Sequence, residues 1–559
     1  MRRKKAAKLG TVLLSVALSA TMFAGCGKTE TSKQPASRSA DQVVRYNLNA
    51  EPKTLDPALN DAVDGATVIQ NTFEGLLRLD DNDNPVAGVA EKWEESKDGL
   101  TYTFHLRKDA KWSDGKTVLA KDFEYSWKRA LNPATAANYA YYLYVLKNGE
   151  AYNGKKASAD DVGVKATDDS TLVVTLENPC AYFYALMAFP TFFPVRQDIV
   201  EKDPKAWYTK AETFICNGPF KLQEWKPKDT ITFVPNDKYW DTKRVKLAKI
   251  EMKMIEAATS SLAAFKTGQL DYIESPPSQE IPTLLADKTA VIVPYLGIYY
   301  LDLNVDPKLK TYSPQAYKVL SDVRVRKALA LAINRKEIVE NVTKAQQKPA
   351  GAFTPYGIPE DKSGKDFRDY KKEYYNPESD VAQAKKLLAD AGYPDGKGFP
   401  KLVYLYNTNE GHQNIAQAVQ EMWRKNLGIN IDLQNQEWKV FQQTRTDKQF
   451  EIARDGWIAD YVDPMTFLDL LTSKSGNNNA GYASAAYDAK IAAAKKEVDT
   501  TKRMQDLHEA EDVLMNDMPV IPLYFYTNVV CVKSYVKDVH KSPLGFVFFD
   551  KAYIDKTSK

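Results

Sequence analysis

Apolar and polar residues alternate from Thr101 to Leu106, from Thr171 to Leu176 and from Asn430 to Gln434. A period of two puts every second side chain on one face, so each segment predicts a half-buried strand. Lys97, Asp98 and Gly99 supply the turn that bounds the first of them. The period lengthens to that of a helix from Val323 to Ala332, behind a cap at Asp322, and from Val381 to Ala391, where Gly392 and Pro394 stop the pattern. Interleaved strands and helices predict an α/β chain, and no internal repeat of solenoid or propeller length interrupts them.

At 559 residues the chain exceeds what one hydrophobic core organises, which predicts two or three lobes. Hydrophobic residues make up 44% of it, with 32 Tyr, 22 Phe and 9 Trp, which excludes a disordered chain. The formal charge of +3 hides two populations. Arg2, Arg3, Lys4, Lys5 and Lys8 lie in the first 25 residues, which hold no acid, and setting these five aside leaves −2. That balance offers no electrostatic footprint for nucleic acid.

The basic start, the apolar run Leu9 to Ala24 and then Phe23-Ala24-Gly25-Cys26 form the three zones of a secretory signal, placed at residues 1–25. The run falls short of the ~20 residues of a spanning helix. Small residues before a lone cysteine resemble the lipobox of bacterial lipoproteins, which implies lipidation of Cys26. The alternative is an ordinary cleaved signal beside an incidental cysteine. Gly27 to Gln42 holds no large apolar residue, so residues 26–42 are expected to be a lipidated cysteine and a flexible tether. Cys180 to Val195 is apolar but broken by Pro190 and Pro194, and reads as buried core or loop. With Cys26 acylated, Cys180, Cys216 and Cys531 remain, an odd number that argues against a disulfide framework and leaves one bridge open.

His105, His412, His508 and His540 stand far apart with no paired cysteines, so no metal site or cofactor is expected. Gly115-Lys116-Thr117 lacks the earlier glycine of a phosphate loop, where Ala110 stands, and reads as a hairpin turn. Ser113 with Lys116 and Ser534 with Lys537 lack every companion motif of serine-lysine enzymes. No activated nucleophile is found, and the chain is expected not to be an enzyme.

Longer blocks carry more. Glu91 to Trp127 reads EKWEESKDGLTYTFHLRKDAKWSDGKTVLAKDFEYSW, and it is joined in order by Thr54-Leu-Asp-Pro57, Asn71-Thr-Phe-Glu-Gly-Leu-Leu77, Asn217-Gly-Pro-Phe220, Asp322-Val-Arg-Val-Arg-Lys-Ala-Leu329 and Asp455-Gly-Trp-Ile-Ala-Asp-Tyr461. Together they resemble family 5 of the bacterial extracellular solute-binding proteins, and His412 through Asp460 resembles its oligopeptide-binding subgroup. The resemblance implies a periplasmic-binding-protein-like fold of type II, the large three-domain variant, whose two lobes close over a buried ligand cleft. It implies lobe I from residues 43–74, 199–296 and 528–559, a small domain II from 75–198, and lobe III from 297–527.

A free peptide brings an ammonium, a carboxylate and backbone groups between them. Asp460 sits among Trp457, Ile458 and Tyr461, where a carboxylate is costly unless a cation meets it. Read from the residues alone it is a helix cap or turn acceptor; the resemblance implies instead that it receives the ammonium. The resemblance also implies that Arg445, Arg454 and His412 serve the carboxylates of peptides of different length, His412 as a pH-sensitive donor. Surface charges and a loop residue are their plainer readings. Tyr139, Trp438, Tyr300 and Tyr526 match aromatic positions of the family's cleft, though aromatics more often form core. Asp61, Val63 and Gly456 match positions that grip peptide backbone; Trp457, Tyr295 and Asp302 match the pocket lining. A disulfide of some relatives falls on Gly297 and Ile458, so that bridge is absent.

The resulting expectation is a monomeric lipoprotein on the extracytoplasmic face of the cell membrane. It would capture short peptides for the permease and ATPase subunits of an ABC importer. A dedicated receptor for one ligand, such as a signalling peptide, a dipeptide, haem or a nickel chelate, is the alternative on the same scaffold.

Overall fold

The structure is a computed structural model and describes residues 41–361, 363–555 and 557. The expected signal, Cys26 and nearly all of the tether lie outside those residues. Gln42, grouped with the tether by its polar neighbourhood, exchanges two hydrogen bonds with the Ile554 backbone, at 2.9 and 2.8 Å.

Two sheets organise the described chain. The smaller one orders its antiparallel strands Ala90–Glu95, Thr101–Leu106, Thr171–Thr175 and Val164–Asp168. The alternation in Thr101–Leu106 is used directly, for Tyr102, Phe104 and Leu106 are buried and their neighbours are not. The segment from Cys180 packs on this part of the fold, with Phe183, Phe189, Phe192 and Phe193 all buried.

The larger sheet has 11 strands and is mixed. At its centre lie two long strands, β1 (Ala290–Leu303) and β4 (Val520–Val532), paired antiparallel. Beyond β1 follow β3 (Ile452–Ile458), β2 (Leu402–Asn407) and Ile431–Gln436. Beyond β4 follow Tyr272–Glu274, Val43–Asn47, Lys249–Lys253, Thr230–Pro235 and Phe220–Lys226. The β1–β4 register breaks between Pro294 and Ile298, an irregularity of the kind that bends a strand pair. Gly297 falls in that break and pairs with Ile458 of β3. A Cβ on Gly297 would lie 2.4 Å from Ile458 Cδ1 and 2.6 Å from the Trp457 carbonyl oxygen, so where relatives place a bridge this chain packs tightly around a glycine.

Three helices present residues to the space between the halves of this sheet. Helix α1 spans Val63–Thr72, α2 spans Glu410–Leu427 and α3 spans Trp438–Thr446. Asn409 caps α2 by accepting from the Gly411 and His412 amides, and Gly428 ends it at φ 70°. The Glu437 carboxylate caps α3 through the Val440 amide. Val323–Leu331 forms as expected behind Asp322, whose carboxylate accepts from the Arg324 amide. Cys180, Cys216 and Cys531 are all free thiols.

Candidate ligand-binding site

A cavity of about 860 Å³ opens between the two halves of the large sheet. Its walls come from α1 and the residues before it, the start of α2, α3, β3, the middle of β1 and the end of β4. Every residue expected to bind ligand lines it except Asp302.

Asp460 stands two residues beyond β3, where the chain turns under the Asp463 and Thr466 loop. Its amide donates to Thr466 Oγ1 at 3.1 Å, and its Oδ2 accepts from the Tyr142 hydroxyl at 2.7 Å. Among the described residues no Lys, Arg or His nitrogen lies within salt-bridge distance of it. Burial pushes its carboxyl up to about 7, opposed only by the hydroxyls of Tyr142 and Tyr139. Tyr139 packs on Trp457 at 6.0 Å between ring centroids, which walls this end with aromatic surface.

Arg454, on β3, is the opposite case. Its Nε donates to Asn407 Oδ1 at 2.7 Å, and its guanidinium lies 5.5 Å from the Trp438 ring centroid and 5.8 Å from that of Tyr299. No carboxylate among the described residues reaches it within salt-bridge distance. Arg445, expected beside it as a second receptor for carboxylate, is instead engaged by Asp455. That carboxylate is held by the Gly456 amide at 2.7 Å and by Asn479 at 3.0 Å.

Asp302 explains the pairing and corrects the expectation for this residue. It shares the face of Tyr300 but lies behind the cavity wall, 1% exposed, with both carboxylate oxygens buried. Burial and the neighbouring Asp455 raise its carboxyl well above the usual range, so it is neutral and able to donate to Asp455. Burial is the largest influence on Asp455 too, but Arg445, the hydrogen bond with Asp302, Arg454 and Asn479 together outweigh it and hold its carboxyl below the usual range. Asp302 therefore supports the wall rather than forming it.

His412 does line the cavity, yet not as the pH-sensitive donor expected of it. Burial, and then Arg454 and Arg445, hold it well below its ordinary range, and the start of α2 disfavours a cation there too. It is a neutral imidazole with Nδ1 3.2 Å from the Tyr299 hydroxyl.

Tyr295, Tyr526 and Tyr300 form an aromatic floor, with Tyr295 and Tyr526 centroids 5.4 Å apart. Gly456 is required by the approach of Tyr526, whose hydroxyl would lie 2.4 Å from an added Cβ. Val63 opens α1 at the rim, beside Asp61. Asp61 Oδ2 accepts from Asn138 at 2.6 Å, while its Oδ1 is buried without a protein partner.

Several residues on or behind the cavity walls escaped the sequence reading. Tyr142 and Asn407 hold the two charged groups, and Lys541 pairs with Glu274 at 2.9 Å on the far wall. Asp64 accepts from the Trp438 indole at 3.0 Å, with its carboxyl pushed up to about 6 by burial. Asp64 lies beside Asp61 and Val63, and Asp455 lies in a quoted block, but nothing local distinguishes them from surface acids.

A cavity between two halves of one sheet, with the Asp460 carboxyl and the Arg454 guanidinium on its walls and no counter-ion for either among the described residues, defines a small-solute binding protein. The chain belongs to the family described as "Bacterial extracellular solute-binding proteins, family 5 Middle", which matches residues 84–479. It is 40% identical to the oligopeptide-binding protein OppA of Bacillus subtilis over 97% of this chain and 98% of that one. The Escherichia coli murein tripeptide binding protein MppA shares the fold at a TM-score of 0.84 and 36% identity, covering 93% of this chain and 99% of that one. MppA in its unliganded open form reaches only 0.61 at the same identity, over 92% of this chain and 98% of that one. The arrangement described here is thus not the open one.

Proposed function

We propose that this chain captures short peptides, holding the ammonium at Asp460 and the carboxylate at Arg454, and delivers them to an ABC importer. The observation that carries the reading is the pair of unmatched charges on one cavity wall, each costly to keep buried unless a ligand of opposite charge arrives. Arg454 to Ile458 is about 13 Å of strand at ~3.3 Å per residue, before the turn to Asp460. An extended peptide of about three to five residues spans a similar interval, allowing for the reach of the arginine. Aromatic walls give contact area without demanding one side chain, and main-chain pairing along the cleft reads no sequence.

Lobe I from residues 43–74, 199–296 and 528–559, domain II from 75–198 and lobe III from 297–527 fit this role, because the borders 296/297 and 527/528 fall beside the register break of β1 and β4. Lipidation of Cys26 would keep a monomeric receptor at the extracytoplasmic face of the membrane, next to its permease. The names of OppA and MppA support peptides as the solute class.

Mass spectrometry of small molecules released by denaturing the purified protein tests the reading. A ladder of mixed short peptides is the expected result. One recurrent mass would instead identify a dedicated receptor, and an empty cleft that also ignores added tripeptides would overturn peptide capture.

A further inference from the structure

Two side-chain bonds cross the cleft at the places where the unmatched charges sit. At the Asp460 end, the Tyr142 hydroxyl reaches over to the carboxylate. At the Arg454 end, the Trp438 indole N–H donates to Asp64 Oδ2 at 3.0 Å, joining the first residue of α3 to the first turn of α1. Other bonds also cross, among them Thr259 to Glu410, which is solvent-exposed, and Asn477 to Tyr141, which is buried, and neither of these two touches either charge.

Trp438 is placed to sense what occupies Arg454. Its ring lies 5.5 Å from the Arg454 guanidinium and 5.9 Å from that of Arg445, and it packs on Phe441 at 6.1 Å. Asp64 is fixed in turn, its second oxygen accepting from the Gly65 amide at 2.9 Å. The indole is therefore held from below by α3 and from across the cleft by α1. A separation of the two halves breaks the indole bond while leaving the arginines in place, since Arg454, Arg445 and Trp438 all belong to residues 438–454.

We propose that Asp64 and Trp438 form a closing clasp, with Asp64 a positioning residue that acts through Trp438. The indole, locked by Asp64, caps the Arg454 guanidinium, so seating a carboxylate on Arg454 and shutting the cleft become a single event. This rests on the reading of the cavity as a peptide site. The clasp forms only in the closed state, so its loss accelerates release of ligand while leaving capture by the open state unaffected. A bond between α1 and α3 that merely stabilised the fold would lower the stability of the empty protein instead.

The test is stopped-flow release of a free-acid tripeptide from the full chain, its Asp64→Ala variant, its Trp438→Phe variant and the double variant. Each single variant is expected to release ligand about 5- to 20-fold faster, with the melting temperature of the empty protein unchanged and, for Asp64→Ala, association unchanged within twofold. The double variant is expected to release no faster than the quicker single one, because both remove the same bond. Multiplying effects in the double variant, unchanged release in Asp64→Ala, or an equal loss of stability in the empty protein would overturn the clasp. If the unsubstituted chain binds no tripeptide, the peptide reading itself fails and the clasp with it.

Discussion

Replacing Asp460 by Asn removes the charge a ligand ammonium needs while leaving an oxygen for the Tyr142 hydroxyl, so closure is spared and the ion pair is not. In the empty cleft the carboxyl titrates at about 7. An arriving ammonium favours the ionised form and drives the proton off. Affinity should therefore fall as pH drops below about 7, about tenfold per unit, and fall again above about 8 as the peptide's own amine loses its proton. Between pH 7.5 and 5.5 the expected loss is about 15-fold. At pH 7.5 a desolvated charge pair that loses one partner costs about 2–5 kcal/mol, or roughly 30- to 4,000-fold in Kd. Calorimetry with a free-amine tripeptide and its N-acetylated form measures both effects. The Asp460→Asn variant should bind the free amine weakly, show no slope between pH 5.5 and 7, and match the unsubstituted chain for the acetylated peptide. A Kd within threefold at pH 7.5, or a slope that survives the substitution, refutes the assignment. Stability of the empty protein follows its own sign. The folded chain holds this proton at about 7 and the unfolded chain near 3.8, so the contribution of Asp460 to stability declines as pH rises through that window, and bound peptide restores it.

Arg454→Ala should shrink the preference for a free carboxylate over a C-terminal amide by about 10- to 150-fold, the equivalent of one charged hydrogen-bonding group, measured by competition between the two peptides. Gly456→Ala forces the Tyr526 hydroxyl from its seat 2.4 Å from the new methyl; overpacking of this kind costs about 1–3 kcal/mol and should lower the urea midpoint with the slope unchanged. Arg368→Ala strands the fully buried Glu511 carboxylate, which also accepts from the Phe353 and Thr354 amides. That loss should cost about 3–5 kcal/mol in urea unfolding, far from the cleft and without effect on peptide selectivity.

Local pattern was legible where one face meets water and the other meets core. Thr101–Leu106 forms over the residues that alternate, and Val323–Leu331 starts behind its cap at Asp322, because periodicity and capping act within a few residues. The long strands β1 and β4 were not legible. They are buried for most of their length, so runs such as Leu296–Leu303 carry no alternation to read. The cavity wall was readable through family blocks, but the fate of each charge was not. Arg445 and Arg454 look alike in sequence; only the fold sets Asp455 against one and leaves the other free. Asp302 reads as a lining acid through the family resemblance, yet while Tyr300 lines the cavity, Asp302 two residues further along lies behind the wall. His412 reads as a titrating donor until the two guanidiniums beside it are known.

The two long strands also govern how the molecule comes apart. Each contributes backbone hydrogen bonds to both halves of the large sheet, so neither half owns a complete set of its own. Peeling one half away would leave the other with a long raw edge of unpaired amides and carbonyls. The parts that swing against each other in binding are therefore obliged to melt together, and the described chain should unfold in a single cooperative transition despite having a cleft through its middle.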